Sequence, residues 1–313
     1  MRVVIRVVVA VMALAGGSTG QNMQMPPSAP TAPEHSANWC EFLWEAADVG
    51  DLHFAKAALL VPVRVPEDKH TYYMQVDTGA ITMFYDVPYL ELIRKHGSSD
   101  NKTSFTGTIA NHDVVNYPVR LVEKFGHALG GRGPEVIGTL GMEFFAHHNL
   151  TIDFPKQRLL ILDWQALPDH YVERRMTFVE GIYRDDRYYV ALTLAGKQYK
   201  DDFFFDTASS SQALITDEAR WRALTGRNGD EPNNLQIVGN RWGEKVRWVA
   251  APLRGSMEVG GVKLDNPLVF YTPNRQVELH LFDGRIAGLF GNAPFFDRTI
   301  IVDPYRKRFG VSD

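Results

Sequence analysis

Two aspartates in this sequence sit in settings that invite chemistry. Asp77 closes an apolar run and is followed by Thr78, Gly79 and Ala80; Asp206 closes another and is followed by Thr207, Ala208 and Ser209. A lone aspartate at a strand end is ordinarily a turn residue. Two in matching settings make something else available, because carboxylates held close cannot both ionise and so share one proton. One member then acts as base and the other as acid on a single water molecule, and no covalent intermediate is needed. A glycine two positions after the acid lets a backbone amide approach the carboxylate with no Cβ in the way.

The elements that must position these acids are themselves repeated. Residues 59–80 align without a gap with residues 188–209, an offset of 129. Each segment opens on alternating apolar residues (Leu59, Val61, Val63; Tyr188, Val190, Leu192), passes a polar turn and returns in an apolar run to the acid, as a β-hairpin does. Downstream, residues 139–161 align with 289–311 at an offset of 150, pairing Gly141 with Gly291 and Asp153 with Asp303. The difference between 150 and 129 requires a 21-residue insertion in the second copy, expected in the polar stretch 225–234. Helices are expected over 87–96, stopped by Gly97, and over 217–224, capped by Thr216. The remainder reads as short strands separated by Gly, Asn and Pro turns.

An Asp-Thr-Gly loop followed by a hydrophobic–hydrophobic–Gly segment, both doubled within one chain, resembles the pepsin-like aspartic proteases. The spacing from Asp77 to Gly141 and the alanine after Gly79 are also similar to the retropepsins. The resemblance covers roughly residues 57–311 and marks the chain as similar to bacterial two-lobed, retropepsin-like aspartyl proteases. It implies a mainly β, bilobed pepsin-like acid protease fold, with residues 37–167 and 168–313 as lobes. It implies an aspartic endopeptidase with Asp77 and Asp206 as catalytic residues and a polypeptide substrate. Thr78 and Thr207 would grip the opposite lobe, while Gly141 and Gly291 would pack beneath the loops. No metal or cofactor is expected, and one chain supplying both lobes is expected to work as a monomer. Two departures are visible. Ala208 replaces the second glycine, which would cost energy at a positive φ. The aromatic of the family's flap is not evident either: Phe105 and Tyr117 are candidates in 104–121, and Trp242 and Trp248 in the segment 237–253, taken as its second-lobe equivalent.

Composition bounds these readings. The chain has 313 residues, 45% of them hydrophobic and 22% charged, with a net charge of −4 and no basic cluster of the kind nucleic acids require. Arg2 and Arg6 precede a short apolar run over 7–15, and Ala13-Leu14-Ala15 is followed by Gly16. This pattern predicts a secretory signal peptide over residues 1–20, removed to leave no stable membrane insertion; a retained anchor is the alternative. Residues 21–36, rich in Pro, Ser and Gln, are expected to be a disordered linker or short propeptide. Cys40 is the single cysteine, so no intrachain disulfide forms, which suits an exported bacterial protein, periplasmic or secreted. Cys40 itself is expected as a buried hydrophobe in a helix.

Blander assignments cover the other conspicuous residues. Asp153 and Asp303 read as structural turn acids, His147 and His148 as rim residues without ligand spacing, and the glycines over 130–133 as a flexible connection. Two competing functions remain. One is a peptide-binding pseudoprotease whose dyad is impaired by Ala208. The other is a phosphoryl-transfer enzyme of the haloacid-dehalogenase type, which would need an acid at position 79, where glycine stands.

Overall fold

The computed structural model describes residues 38–49, 52–66, 68–95, 103–163, 175–241, 244–282 and 285–313. The expected signal peptide, the linker and the boundary near residue 167 lie outside the described residues. Lobe 1 runs through β1 (Cys40–Glu41), β2 (Leu43–Val49), β3 (Leu52–Arg64), β4 (Tyr72–Asp77), β5 (Met83–Tyr85) and α1 (Asp86–Lys95). It continues with β6 (Ser104–Ile109), β7 (His112–Pro118), β8 (Leu121–Val122), β9 (Val136–Gly141), α2 (Met142–Phe145), β10 (His148–Asp153) and β11 (Arg158–Asp163).

Lobe 2 opens with β12 (Met176–Arg184), β13 (Arg187–Val190), β14 (Leu192–Leu194), β15 (Lys197–Tyr199), β16 (Phe203–Phe205) and β17 (Leu214–Thr216). Then come α3 (Glu218–Thr225), β18 (Leu235–Arg241), β19 (Glu244–Pro252), β20 (Ser256–Val259), β21 (Val262–Asp265) and β22 (Leu268–Tyr271). The chain finishes with α4 (Arg275–Leu281), β23 (Gly288–Phe290), β24 (Thr299–Asp303) and β25 (Arg308–Ser312). The result is a mainly β fold of two related lobes.

Strand register reproduces both sequence offsets. In lobe 1 Leu60 faces Gln75; in lobe 2 Tyr189 faces Phe204, each 129 residues on. Val76 lies beside Leu140 in the parallel pair β4–β9, and Phe205 lies beside Phe290 in β16–β23, so the second offset of 150 is met as well. The lobes join through a sheet ordered β1-β11-β10-β24-β25-β12. At its centre Thr151 faces Ile301, and these two residues are themselves 150 apart, so the pseudo-twofold axis passes between them. One apolar core spans both lobes, from Leu59, Val76 and Leu140 to Phe205, Phe290 and Val311, all 0% exposed. A second cluster, Phe204, Ile215, Trp248 and Leu289 with Val277 and Leu281 of α4, is confined to lobe 2.

Four expectations are corrected. Cys40 lies in a strand: Cys40 and Phe42 are buried while Glu41 and Leu43 are exposed, a period of two that overrides the helix-forming composition nearby. Its thiol is buried as expected, and that burial pushes it up to about 11. The cap of α3 is Asp217, whose carboxylate accepts from Arg220 N at 2.8 Å, while Thr216 donates instead to the Ala287 carbonyl. Gly226, left-handed at φ 65°, closes that helix. Helix α1 begins at Asp86, and Gly97 lies outside the described residues.

The insertion is also relocated. Hairpin β6–β7 pairs with β3 through Arg64 and Thr108, and hairpin β20–β21 pairs with β14 through Thr193 and Glu258. Their turns match too, with Ala110-Asn111 and Gly260-Gly261 all at positive φ. Hairpin β20–β21 is therefore the counterpart of β6–β7, and the inserted element is the hairpin β18–β19, beyond the polar stretch. Lobe 1 has its own addition. The equivalent pairs Leu43–Leu60 and Ile182–Tyr189 enclose hairpins of 17 and 7 residues separation, so β2–β3 is the longer. It runs past the level of Asp77 and packs against β18, so the two departures from symmetry meet across the lobes.

Candidate active site

Asp77 and Asp206 are 0% exposed, each at the end of a central strand, and the two loops that follow interlock. Thr78 Oγ1 donates to the Phe205 carbonyl at 2.8 Å and accepts from Thr207 N at 3.0 Å. Thr207 Oγ1 donates to the Val76 carbonyl at 2.8 Å and accepts from Thr78 N at 3.0 Å. Every polar atom of the two hydroxyls is spent across the lobe boundary. Both threonines are fully buried, so each bond replaces solvation that neither lobe alone recovers.

Within each loop the third residue's amide turns back to the acid: Gly79 N donates to Asp77 Oδ1 at 3.0 Å and Ala208 N to Asp206 Oδ1 at 2.8 Å. A Cβ on Gly79 would lie 2.8 Å from Asp206 Cγ, so this position admits only glycine while the carboxyls face each other. Neither position 79 nor Ala208 has a positive φ. Alanine at 208 therefore carries no backbone strain, since the cost would arise only at a positive φ. Its methyl does break the symmetry, because the approach that Gly79 allows to Asp206 is not open at 208.

Gly141 and Gly291 lie under the loops as expected. A Cβ at Gly141 would meet the Ala80 carbonyl at 2.4 Å, and one at Gly291 the Ser209 carbonyl at 1.9 Å. Gly141 N donates to Thr82 Oγ1 at 2.9 Å, and Gly291 N to the Gln212 carbonyl at 3.1 Å. Two residues that sequence reasoning missed complete this layer. Asn292 is 0% exposed and donates to the Thr207 carbonyl and to Ser210 Oγ, at 2.9 and 3.0 Å. Glu143 accepts from Thr82 N in lobe 1. Each stands one or two places after a repeated glycine, the one signal that could have drawn attention to them.

The fourth loop position separates the two acids. Ser209 Oγ donates to Asp206 Oδ2 at 2.8 Å; in lobe 1 the residue is Ala80. Asp77 Oδ2 is buried and, among the described residues, has no hydrogen-bond partner. Burial holds Asp77 well above the usual carboxylate range, and the Asp206 charge adds to it against the Gly79 amide. Burial also raises Asp206, to about 6, but the Ser209 hydroxyl and the Ala208 amide pull it back. Asp206 is thus the member more readily ionised.

The remaining candidates take structural places. Asp153 accepts from Lys156 N and Arg158, and Asp303 from Arg306 N, Arg306 and Arg308, bracing equivalent turns. Phe105 is core, 5.4 Å from the Phe84 ring, while Tyr117 is half-buried, packs on Phe144 and lies beside Thr82 and Glu143. Trp248 is buried in the lobe 2 cluster, and Trp242 lies outside the described residues. His147 is exposed, and His148 is half-buried against Phe144. Among the described residues no three His, Cys, Asp or Glu side chains gather in a way that holds a metal ion.

No protein-family model matches the chain, and no curated protein sequence matches it. Solved structures with similarity include an aspartic proteinase from Irpex lacteus, 10% identical, covering 88% of this chain and 97% of that one with a TM-score of 0.47. Basic 7S globulin from soybean is 9% identical over 88% of this chain and 94% of its own, with a TM-score of 0.42. Conglutin gamma, a basic 7S globulin from lupine seeds, is 9% identical over 89% and 95%, also at 0.42.

Proposed function

We propose that the protein is an exported aspartic endopeptidase of the pepsin-like class. The observation that carries this reading is the pair of buried carboxyls facing each other from interlocked loops, with one loop carrying a hydroxyl donor that the other lacks. Asp206, ionised, takes a proton from a water held between the two. Asp77, protonated, donates to the oxygen of the peptide carbonyl as the water oxygen adds to its carbon. The resulting gem-diol collapses as the nitrogen is protonated and the C–N bond breaks, which returns the single proton to the pair. A polypeptide is the substrate, and no metal or cofactor enters the step. Export, to a bacterial periplasm or medium, rests on the charged and apolar pattern of residues 1–20.

One assay tests the reading: hydrolysis of a denatured protein across pH, with a statine-type inhibitor, with EDTA, and with Asp77→Asn as control. Cleavage abolished by the inhibitor and by the substitution, and untouched by EDTA, supports it, since a tetrahedral mimic binds more tightly than substrate. Activity lost in EDTA and restored by zinc would overturn it. The full burial of both carboxyls and the Ala208 methyl favour a second reading, a peptide-binding scaffold without turnover. Stoichiometric peptide binding without cleavage at any pH, equal in wild type and Asp77→Asn, would establish that instead.

A further inference from the structure

The two lobes knit their catalytic loops to the segment beneath them in chemically different ways. In lobe 2 the knot is neutral, made by the Asn292 amide, and the position equivalent to 143 is Ala293. In lobe 1 it is a carboxylate. Glu143 Oε1 accepts from Thr82 N, five residues after Asp77, and lies 3.4 Å from Arg120 Nη1. The Glu143 side chain is 19% exposed, whereas that of Arg120 is 56% exposed, so the acid is largely desolvated and its cation is largely in water. Glu143 Oε2 is buried with no hydrogen-bond partner among the described residues. A neutral side chain would satisfy Thr82 N equally well; a charged one with an orphaned oxygen is costly unless the charge has a use.

We propose, resting on the aspartic-peptidase reading above, that Glu143 is a positioning residue whose buried negative charge holds the shared proton on Asp77. Asp77 is in register with Gly141, two residues before Glu143, so the acid belongs to the same corner of lobe 1 and has no counterpart across the pseudo-twofold axis. Its charge disfavours ionisation of Asp77, in the same direction as Asp206. The other ionisable groups near Glu143 are Arg120, Tyr117 of β7 and Tyr183 of β12; near Asp77 they are Asp206 and Tyr85. The tyrosines are all raised by burial and stay neutral where the dyad titrates; among the described residues Arg120 is the cation that faces Glu143, and burial raises Glu143 itself, against the Thr82 amide and Arg120. Lobe 1 thus favours the protonated acid twice, by omitting the serine hydroxyl at Ala80 and by adding a charge at Glu143.

The test is Glu143→Gln, which keeps the acceptor for Thr82 N and removes the charge. Two readouts are taken: the pH dependence of kcat, and carbon-13 NMR titration of labelled aspartate carboxyls, which needs no turnover. The upper dyad ionisation, and with it the alkaline limb of kcat, is expected at lower pH by a few tenths to about one unit, with KM little changed. Glu143→Asp keeps the charge and should keep the upper ionisation, although its shorter chain loosens Thr82; a purely structural Glu143 would make Asp the worse replacement. If Glu143→Gln fails to fold, Arg120→Met supplies the opposite change and should raise the upper ionisation. An upper ionisation unmoved in folded Glu143→Gln, or in folded Arg120→Met, overturns the proposal. A shifted NMR titration in a protein that hydrolyses nothing would instead sink the peptidase reading and leave the proton placement standing.

Discussion

Ser209 donates its hydroxyl to Asp206 Oδ2 at 2.8 Å, and this bond is the main chemical difference between the two aspartate loops. A hydrogen bond to the charged form favours that form. Replacing Ser209 with Ala should therefore make Asp206 harder to ionise and move the acid limb of the pH–rate profile to higher pH. The expected shift is a fraction of a unit to about one unit, the scale of ~1 kcal/mol for one hydrogen bond. Ala80→Ser should give Asp77 the same donor and blur the distinction. The limb belongs to the coupled pair, so both variants are best compared with the wild-type profile rather than assigned to one residue. A folded Ser209→Ala enzyme with an unmoved or lowered acid limb would show that this bond does not place the proton.

Asp77→Asn and Asp206→Asn should each reduce hydrolysis by at least ~10²–10⁴, the usual contribution of general acid–base catalysis, because both roles are needed. They should also stabilise the fold near neutral pH. Both acids are raised above the ordinary aspartate value by burial, so between that value and their folded values the native state binds more protons than the unfolded chain. Stability is fully present below the ordinary aspartate range and declines as pH rises toward the folded values. Asn removes that decline, by on the order of 1–3 kcal/mol at pH 7. The melting temperature of Asp77→Asn should exceed that of wild type at pH 7 and converge on it near pH 4. Equal differences at both pH values would contradict the buried, protonated assignment.

The sequence was most legible where the fold repeats. The gapless match of 59–80 with 188–209 became a shared register, because strand pairing fixes which residues face each other and a one-residue slip would expose the core. The repeat placed the two aspartates, the two threonines and the two glycines in matching positions, and the structure brings them together. What was hidden lay where the repeats part. Cys40 was expected in a helix because Glu, Leu and Ala nearby are helix formers, but its alternation of buried and exposed side chains is set by the partner strand around Leu159. The polar stretch 225–234 drew the insertion to itself, yet polar turns occur in both copies, and only the pairing of β14 with β20 shows that β18–β19 is the added hairpin. Glu143 and Asn292 were passed over because a lone polar residue says nothing until its buried partners are known.

Position 79 and position 208 should respond in opposite ways. Gly79→Ala would place a methyl within 2.8 Å of Asp206 Cγ and should push the carboxyls apart, with a loss of rate exceeding any loss of stability. Ala208→Gly relieves no strain, because Ala208 has an ordinary negative φ. It should cost ~0.4–1 kcal/mol through the freer unfolded chain and leave hydrolysis at least as fast. Kinetics and urea midpoints on both variants check this. A slower Ala208→Gly enzyme would mean that the methyl itself is needed at the dyad.

The threonine grip should behave as one unit. In Thr78→Val the shape is kept, but the Phe205 carbonyl loses its donor and Thr207 N loses its acceptor, both in a site closed to water. In Thr207→Val the Val76 carbonyl and Thr78 N are orphaned in the same way. Each single substitution should cost ~2–4 kcal/mol, since a buried donor or acceptor left unmade costs ~1–3 kcal/mol. The double variant should cost clearly less than the sum of the singles. Once one hydroxyl is gone the loops are free to separate and admit water, and the second set of bonds is already weakened. Urea denaturation of the four proteins gives the coupling directly. Strict additivity, with hydrolysis lost only in the double variant, would show that the two halves of the grip act independently and that one alone holds the carboxyls in place.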